Sequence, residues 1–249
     1  MSMVELSILG PGFVAGLLVL ATHVPMGREV LRRGIIFIDL AVAQTAGLGV
    51  IAAGALGWDP HGFAAQVAAF LAAIAAGMIL TWTEKHWGEM QDAIIGALFV
   101  LAATGGILLL ANHPKGGEEL KDLLVGQILW VDMHVLWPAT VVSAVVLLCW
   151  FRLRERLARM GFYMLFAVSV TVAVQLVGVY LVFASLIIPA LATRSMPRAA
   201  GLSVAYGIGA IGYAIGLLLS ALFDLPTGAV VVWALAGVAT LWSFFPGRR

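Results

Sequence analysis

The sequence predicts an all-α membrane protein, a single transmembrane domain over residues 1–249 with about eight or nine transmembrane helices. Hydrophobic residues make up 62% of the chain and charged residues 11%, whereas a soluble domain has about 45–50% apolar and about 25% charged residues. Apolar runs of about 20 residues, enough for a helix to cross the hydrocarbon core, recur from end to end. These runs are continuous rather than alternating, which disfavours a transmembrane β-barrel.

The first apolar run has no basic stretch before it and no clear small-residue cleavage site, so we interpret it as a retained span. Lys and Arg accumulate in cytoplasmic loops. Arg28, Arg32 and Arg33 therefore place the first loop inside, with the N-terminus outside and the C-terminus in the cytoplasm. The predicted spans are 6–25, 34–56, 62–82, 92–111, 123–151, 162–182, 199–222 and 226–245.

Residues 162–193 lie between two arginine-rich segments and so must leave and return to the cytoplasmic side. These 32 residues are fewer than the roughly 40 that two full helical spans need. We expect one full span and then a short or broken helix near 184–193, with the break around Pro189, because proline removes a backbone hydrogen bond. Such a segment is typical either of a transport path or of a kinked packing helix.

The sequence has no motif of an intramembrane enzyme. Neither H-E-x-x-H nor G-x-S-x-G occurs, and the phosphate-binding loop of an ATPase is missing. Cys149 is the sole cysteine, so an intrachain disulfide is excluded. The net charge of +1 gives no indication of nucleic-acid binding. We therefore expect no enzyme activity and no bound cofactor in this chain, and any ATP would be used by a partner subunit.

Polar residues at membrane depth are the candidate functional residues, because they are costly in lipid. Asp39 lies five residues into its predicted span and either sits at the interface or faces a cavity. We expect three glutamines to form hydrogen bonds between helices, namely Gln66, Gln127 and Gln175. We expect three residues near span ends to lie at the membrane interface, namely His23, Asp92 and His134.

Four stretches, in order along the chain, resemble the permease subunits of bacterial zinc-, manganese- and iron-type ABC importers. "RRGIIFIDLAVAQTAGLGV" (32–50) is similar to the second-span motif of that family, and "MQDAIIGALF" (90–99) to its Asp-x3-Gly helix start. "LVGVYLVFASLIIPALATR" (176–194) and "FDLPTGAVVVWALA" (223–236) are similar to two further blocks and are the most specific of the four.

The resemblance implies a multi-pass protein of the bacterial inner membrane that moves a divalent metal inward with the energy of ATP. It also implies three kinds of partner besides the lipid bilayer. These are two cytoplasmic ATPase subunits, a second permease copy, expected to be identical, around a central path, and an extracytoplasmic metal- or solute-binding protein.

The internal metal site of the family is altered in this chain. Its Asp and His, four residues apart on one helix face, correspond to Leu40 and Gln44 when the shared Leu-Gly-Val is aligned. Asp39 lies one residue earlier, and one helical step rotates a side chain by about 100°. An amide is a poor zinc ligand compared with an imidazole. We therefore transfer no metal site and expect Asp39, Gln44, Thr45, Ser185 and Pro189 to line or flank the substrate path.

The segment that docks the ATPase in the family is short here. Only "RLRERLARMG" (152–161) occupies its place. Its arginines and closing glycine are the expected ATPase-coupling residues, namely Arg152, Arg154, Arg156, Arg159 and Gly161.

Three interpretations remain open from the sequence. The chain is a metal-importer permease with a weak internal site, a permease of the same fold for a metal chelate or small organic solute, or a membrane subunit that assembles with partners and transports nothing.

Overall fold

The computed structural model describes residues 3–59, 62–111, 113, 116–153 and 159–244. Side chains 3–8, 119 and 159 are not described. The described chain is almost wholly helical, which confirms the predicted fold class. The helices are α1 Met3–Arg33, α2 Ile38–Ala55, α3 Phe63–Trp87, α4 Gln91–Leu110, α5 Gly116–Val125, α6 Met133–Leu153, α7 Arg159–Val177, α8 Val179–Ala192, α9 Arg198–Phe223 and α10 Thr227–Ser243.

Within the described residues, six helical stretches are long and apolar enough to cross a membrane. One of them, Phe63–Leu110, contains both α3 and α4, and two shorter apolar helices, α8 and α10, accompany the six. Between α3 and α4 the chain turns back, since Gln91 Nε2 donates to the Leu80 carbonyl at 2.9 Å. α3 and α4 therefore pack side by side against α2.

Two predicted span boundaries are wrong. The first helix continues past residue 25 to Arg33, so His23 lies far from its end and is only 1% exposed. The predicted interfacial role for His23 is therefore wrong, and its ring Nδ1 is 3.0 Å from the Val19 carbonyl. The predicted span 123–151 is divided, because the left-handed Gly126 (φ 73°) ends α5 before α6 begins.

The helix ends that carry the arginines gather at one end of the bundle, here called the basic end. The Arg33 guanidinium lies 4.2 Å from the Phe162 ring centroid, which joins the end of α1 to the start of α7. Arg28 Nη2 donates to the Met196 carbonyl at 3.0 Å, which joins α1 to the connection between α8 and α9. This grouping is the one that positive loop residues predict for a single membrane face.

The short helix predicted near 184–193 is confirmed as α8, but the position of the break is wrong. Pro189 lies inside α8, where surrounding helices make an internal proline tolerable. The chain instead reverses at Gly178, whose φ of 81° is a conformation that glycine adopts readily. Gly178 packs directly on the backbone of Gly126, with no room for a side chain on either residue.

We expect Gly178→Ala to destabilise the protein by about 2 kcal/mol or more, because a Cβ adds left-handed strain and a backbone clash. Thermal unfolding of the purified chain in detergent measures the effect. Gly207→Ala is the matched control, since its Cβ would meet nothing within 4 Å in α9. Equal unfolding midpoints for the two variants would rule out a structural role for this contact.

Candidate functional site

A cavity of about 510 Å³ lies between α2, α4, α8 and α10, with α5 at one end. Its wall is mostly apolar and aromatic, and each helix contributes residues spaced about one turn apart. The lining residues are Leu40, Gln44, Phe99, Ala103, Ile107, Leu120, Leu124, Val179, Tyr180, Phe183, Ala184, Ala229, Val232 and Trp233.

The register of α2 decides which of its polar groups reaches this cavity. Leu40 and Gln44 are four residues apart and both line it. Asp39, one step earlier, is 1% exposed and is not part of the lining. Neither of its carboxyl oxygens has a hydrogen-bond partner among the described residues. The two positions that the resemblance aligns with the family's ligand pair therefore face the cavity, and the neighbouring acid does not.

α5 and α8 reach the cavity because of the glycine contact described above. Gly178 starts α8 so that Tyr180 and Phe183, three residues apart, line the cavity from one side. α5 ends at the partner glycine, and its Leu120 and Leu124 line the cavity from the end that lies away from the basic end. The same backbone contact thus positions two walls.

The other predicted path residues lie elsewhere. Thr45 is half-buried, and its hydroxyl donates to the Ala41 carbonyl at 2.7 Å. Ser185 is fully buried and bonds to the Leu181 carbonyl at 2.6 Å and to the Tyr213 hydroxyl at 2.8 Å, which ties α8 to α9. Pro189 is buried in the C-terminal half of α8. Of the five predicted path residues, Gln44 alone is in the described cavity lining.

The predicted coupling residues lie at the basic end where they are described. Arg152 is exposed in the last turn of α6, and Gly161 is half-buried in the first turn of α7. Arg154 and Arg156 lie outside the described residues. Arg159 begins α7, but its side chain is not described.

Sequence reasoning missed the aromatic residues of the cavity, Phe99, Tyr180, Phe183 and Trp233. The signal that could have found them is their one-turn spacing from small residues on the same helices, such as Phe99 and Ala103. The described residues hold no group of three or more His, Cys, Asp or Glu side chains able to bind a metal ion. Chemically, the cavity offers an amide and a phenol within an apolar wall.

Comparison with known proteins shows extended similarity. The model of the ABC 3 transport family matches residues 5–162 and 153–246. The manganese transport system membrane protein MntC of Halalkalibacterium halodurans is 26% identical over 251 residues, covering 90% of this chain and 82% of that protein. The chelated iron transport system membrane protein YfeC of Yersinia pestis is 28% identical over 216 residues, covering 77% of this chain and 70% of that protein.

The fold is also similar to a solved structure, that of PsaBC from Streptococcus pneumoniae in complex with Fab. The TM-score is 0.77 at 22% identity, and the match covers 96% of this chain and 92% of that chain.

The unpartnered Asp39 carboxyl generates a stability prediction. We expect Asp39→Leu to stabilise the chain by about 1–3 kcal/mol, because it removes a buried polar group without hydrogen bonds. Thermal unfolding in detergent provides the measurement, with Asp39→Asn as the variant of matched shape. Asp92→Leu is the control: Asp92 is exposed in the first turn of α4, so its loss should cost up to about 1 kcal/mol. A lower midpoint for both Asp39 variants would contradict the prediction.

Proposed function

The chain belongs to the ABC 3 transport family, and we propose that it is the membrane-spanning permease subunit of an ABC importer for a divalent metal such as zinc, manganese or iron. The observation that carries this proposal is the joint position of Leu40 and Gln44 on one cavity wall. The sequence resemblance aligns these two residues with the family's ligand positions, and α2 turns both toward the space between helices. Relatives whose names specify manganese and chelated iron support a metal as the substrate.

The altered ligand pair favours weak binding of the substrate. Leu40 offers no ligand atom, and the Gln44 amide oxygen is a weak ligand for a borderline cation. Transport requires that a substrate be released as well as bound, so weak or distributed ligation is compatible with flux. The proposed path therefore needs no closed coordination site within this chain.

The proposal includes partners that supply what this chain lacks. A cytoplasmic ATPase would bind and hydrolyse ATP at the basic end, and an extracytoplasmic binding protein would deliver the substrate at the other end. The two family matches overlap at residues 153–162, which nearly coincides with the segment 152–161 proposed to couple to the ATPase. A second permease copy would close the cavity, since its aromatic wall includes exposed Trp233 and Tyr180.

The proposed orientation of the chain in the membrane follows from the position of the basic end. A basic end in the cytoplasm of a bacterial inner membrane places the N-terminus outside and the C-terminus inside. α5 then covers the cavity from the extracytoplasmic side.

A metal chelate or small organic solute is the second candidate substrate, and the cavity wall is the observation that favours it. Phe99, Phe183 and Trp233 provide the apolar and aromatic surfaces that organic ligands contact in binding sites. A chelate carries its own ligand atoms, so the protein would need to supply shape and a few hydrogen bonds.

Reconstituted ATP-driven uptake across a panel of metals and their chelates tests the proposal. We expect Gln44→Ala to change uptake about tenfold, equivalent to 1.4 kcal/mol, because it alters a polar group of the path. Gln175→Ala is the matched control, since Gln175 is exposed on α7 and away from the cavity. ATP turnover that responds to an organic solute alone, with no metal or chelate taken up, would exclude a metal-importer permease.

Restoring the family pair provides a gain-of-function test. We expect Leu40→Asp with Gln44→His to tighten zinc or manganese binding by the purified chain about tenfold or more, because a carboxylate and an imidazole would then share one helix face. Isothermal titration calorimetry measures the affinity, and each single substitution is a control. An affinity for the double variant no higher than for the singles would show that these positions do not converge.

A further inference from the structure

A second cavity, of about 450 Å³, lies at the basic end between the end of α1, the end of α8 and the start of α9. It is separate from the candidate path and shares no described lining residue with it. Positive charge dominates its wall. The charged lining residues are Arg28, Arg32, Arg194, Arg198 and Glu29, four arginines against one acid.

The single acid does not neutralise the arginines of the cavity. Glu29 is paired with Arg32, and Arg33 Nε also donates to it at 2.9 Å. Part of the positive charge of Arg32 is thus offset by Glu29. Arg194, in the segment before α9, and Arg198, at the start of α9, are both exposed. The positive charges of Arg198 and Arg28 also repel each other. The described wall therefore carries an excess of positive charge that an anion would offset.

Arg28 is held in place by the fold rather than by a carboxylate. Its Nη2 donates to the Met196 carbonyl at 3.0 Å, and Gly201 leaves the space on α9 that the guanidinium occupies. Its Nη1 is buried and has no hydrogen-bond partner among the described residues. Because that donor packs against Gly201, what Arg28 contributes to the cavity wall is a fixed positive charge, which attracts a phosphate group.

The start of α9 adds to the same potential. Pro197 occupies the N-cap of this 26-residue helix, so the first backbone N–H groups receive no cap from the N-cap side chain. The positive end of the helix dipole thus lies beside Arg198 and the cavity.

The remaining wall is apolar, formed by Pro25, Leu31, Ala190, Leu191 and Leu202. The recess is lined by arginines and by apolar side chains and lies at the ends of membrane-crossing helices. It therefore matches both the phosphate group and the apolar part of a phospholipid. A free anion would use only the arginines, whereas a lipid would also place its glycerol and the start of its acyl chains on the apolar side.

We propose that the cavity between the ends of α1 and α8 and the start of α9 binds the phosphate group of an anionic membrane lipid. Basic pockets between transmembrane helices on the cytoplasmic side are suited to such head groups. Because α8 also lines the candidate path, a bound lipid would stabilise the helix that both cavities share.

Lipid binding to the purified full-length chain in neutral detergent, measured by native mass spectrometry, tests this site. The probes are phosphatidylglycerol, phosphatidylcholine and inorganic phosphate. We expect phosphatidylglycerol to bind preferentially, and Arg194→Gln with Arg198→Gln to weaken it on the order of 25-fold, about fivefold per arginine. Both side chains are exposed, so this variant should fold, and its thermal unfolding midpoint checks that it does.

Lys85→Gln with Lys121→Gln is the matched control for charge. Lys85 is exposed in the last turn of α3 and Lys121 is exposed on α5, so the same charge is removed outside the cavity. We expect this variant to bind phosphatidylglycerol as the parent does. Equal losses in the two double variants would overturn the site, because general surface charge would then explain the binding. Binding of inorganic phosphate without preference for the anionic lipid would overturn the lipid assignment.

Discussion

The backbone contact between Gly126 and Gly178 is the constraint on which the rest of the architecture depends. Both residues adopt left-handed conformations, and each occupies space that a side chain on the other would need. The contact ends α5 and begins α8, the short helix that packs against α1, α2, α5, α7, α9 and α10. α8 in turn lines the candidate path with its first half and the arginine-rich cavity with its last turn. One local conformation therefore positions the walls of both cavities.

The candidate path follows from helix periodicity combined with that arrangement. α2 places Leu40 and Gln44 on the cavity and Asp39 within the bundle, although Asp39 is the more conspicuous residue in the sequence. The resulting wall offers few side-chain atoms able to bind a metal, which is consistent with transient contact by a substrate rather than tight binding. The described arginines of the helix ends gather instead at the basic end, where four of them line the proposed lipid site.

The fold class, most helices and the different faces of Asp39 and Leu40 were predictable, because they depend on local hydropathy and on the period of one helix. The division of α5 from α6 and the position of the break before α8 were not. Those features depend on Gly126 meeting Gly178, a contact between residues 52 positions apart in sequence. The burial of Ser185 against Tyr213 and the aromatic cavity wall likewise depend on how separate helices pack. Polarity alone therefore indicated Asp39, Thr45 and Ser185 as path residues, whereas packing places them away from the cavity.

In the proposed path, substrate passes the Gln44 face of α2 and not the Asp39 face. Cadmium block of reconstituted uptake tests it directly, using Gln44→Cys and Asp39→Cys in a Cys149→Ala background, since a thiolate is a strong ligand for soft cations. We expect cadmium to stop transport by the Gln44→Cys protein and to leave the Asp39→Cys protein active. Block of the Asp39→Cys protein alone would contradict this expectation and place the path on a different face of α2.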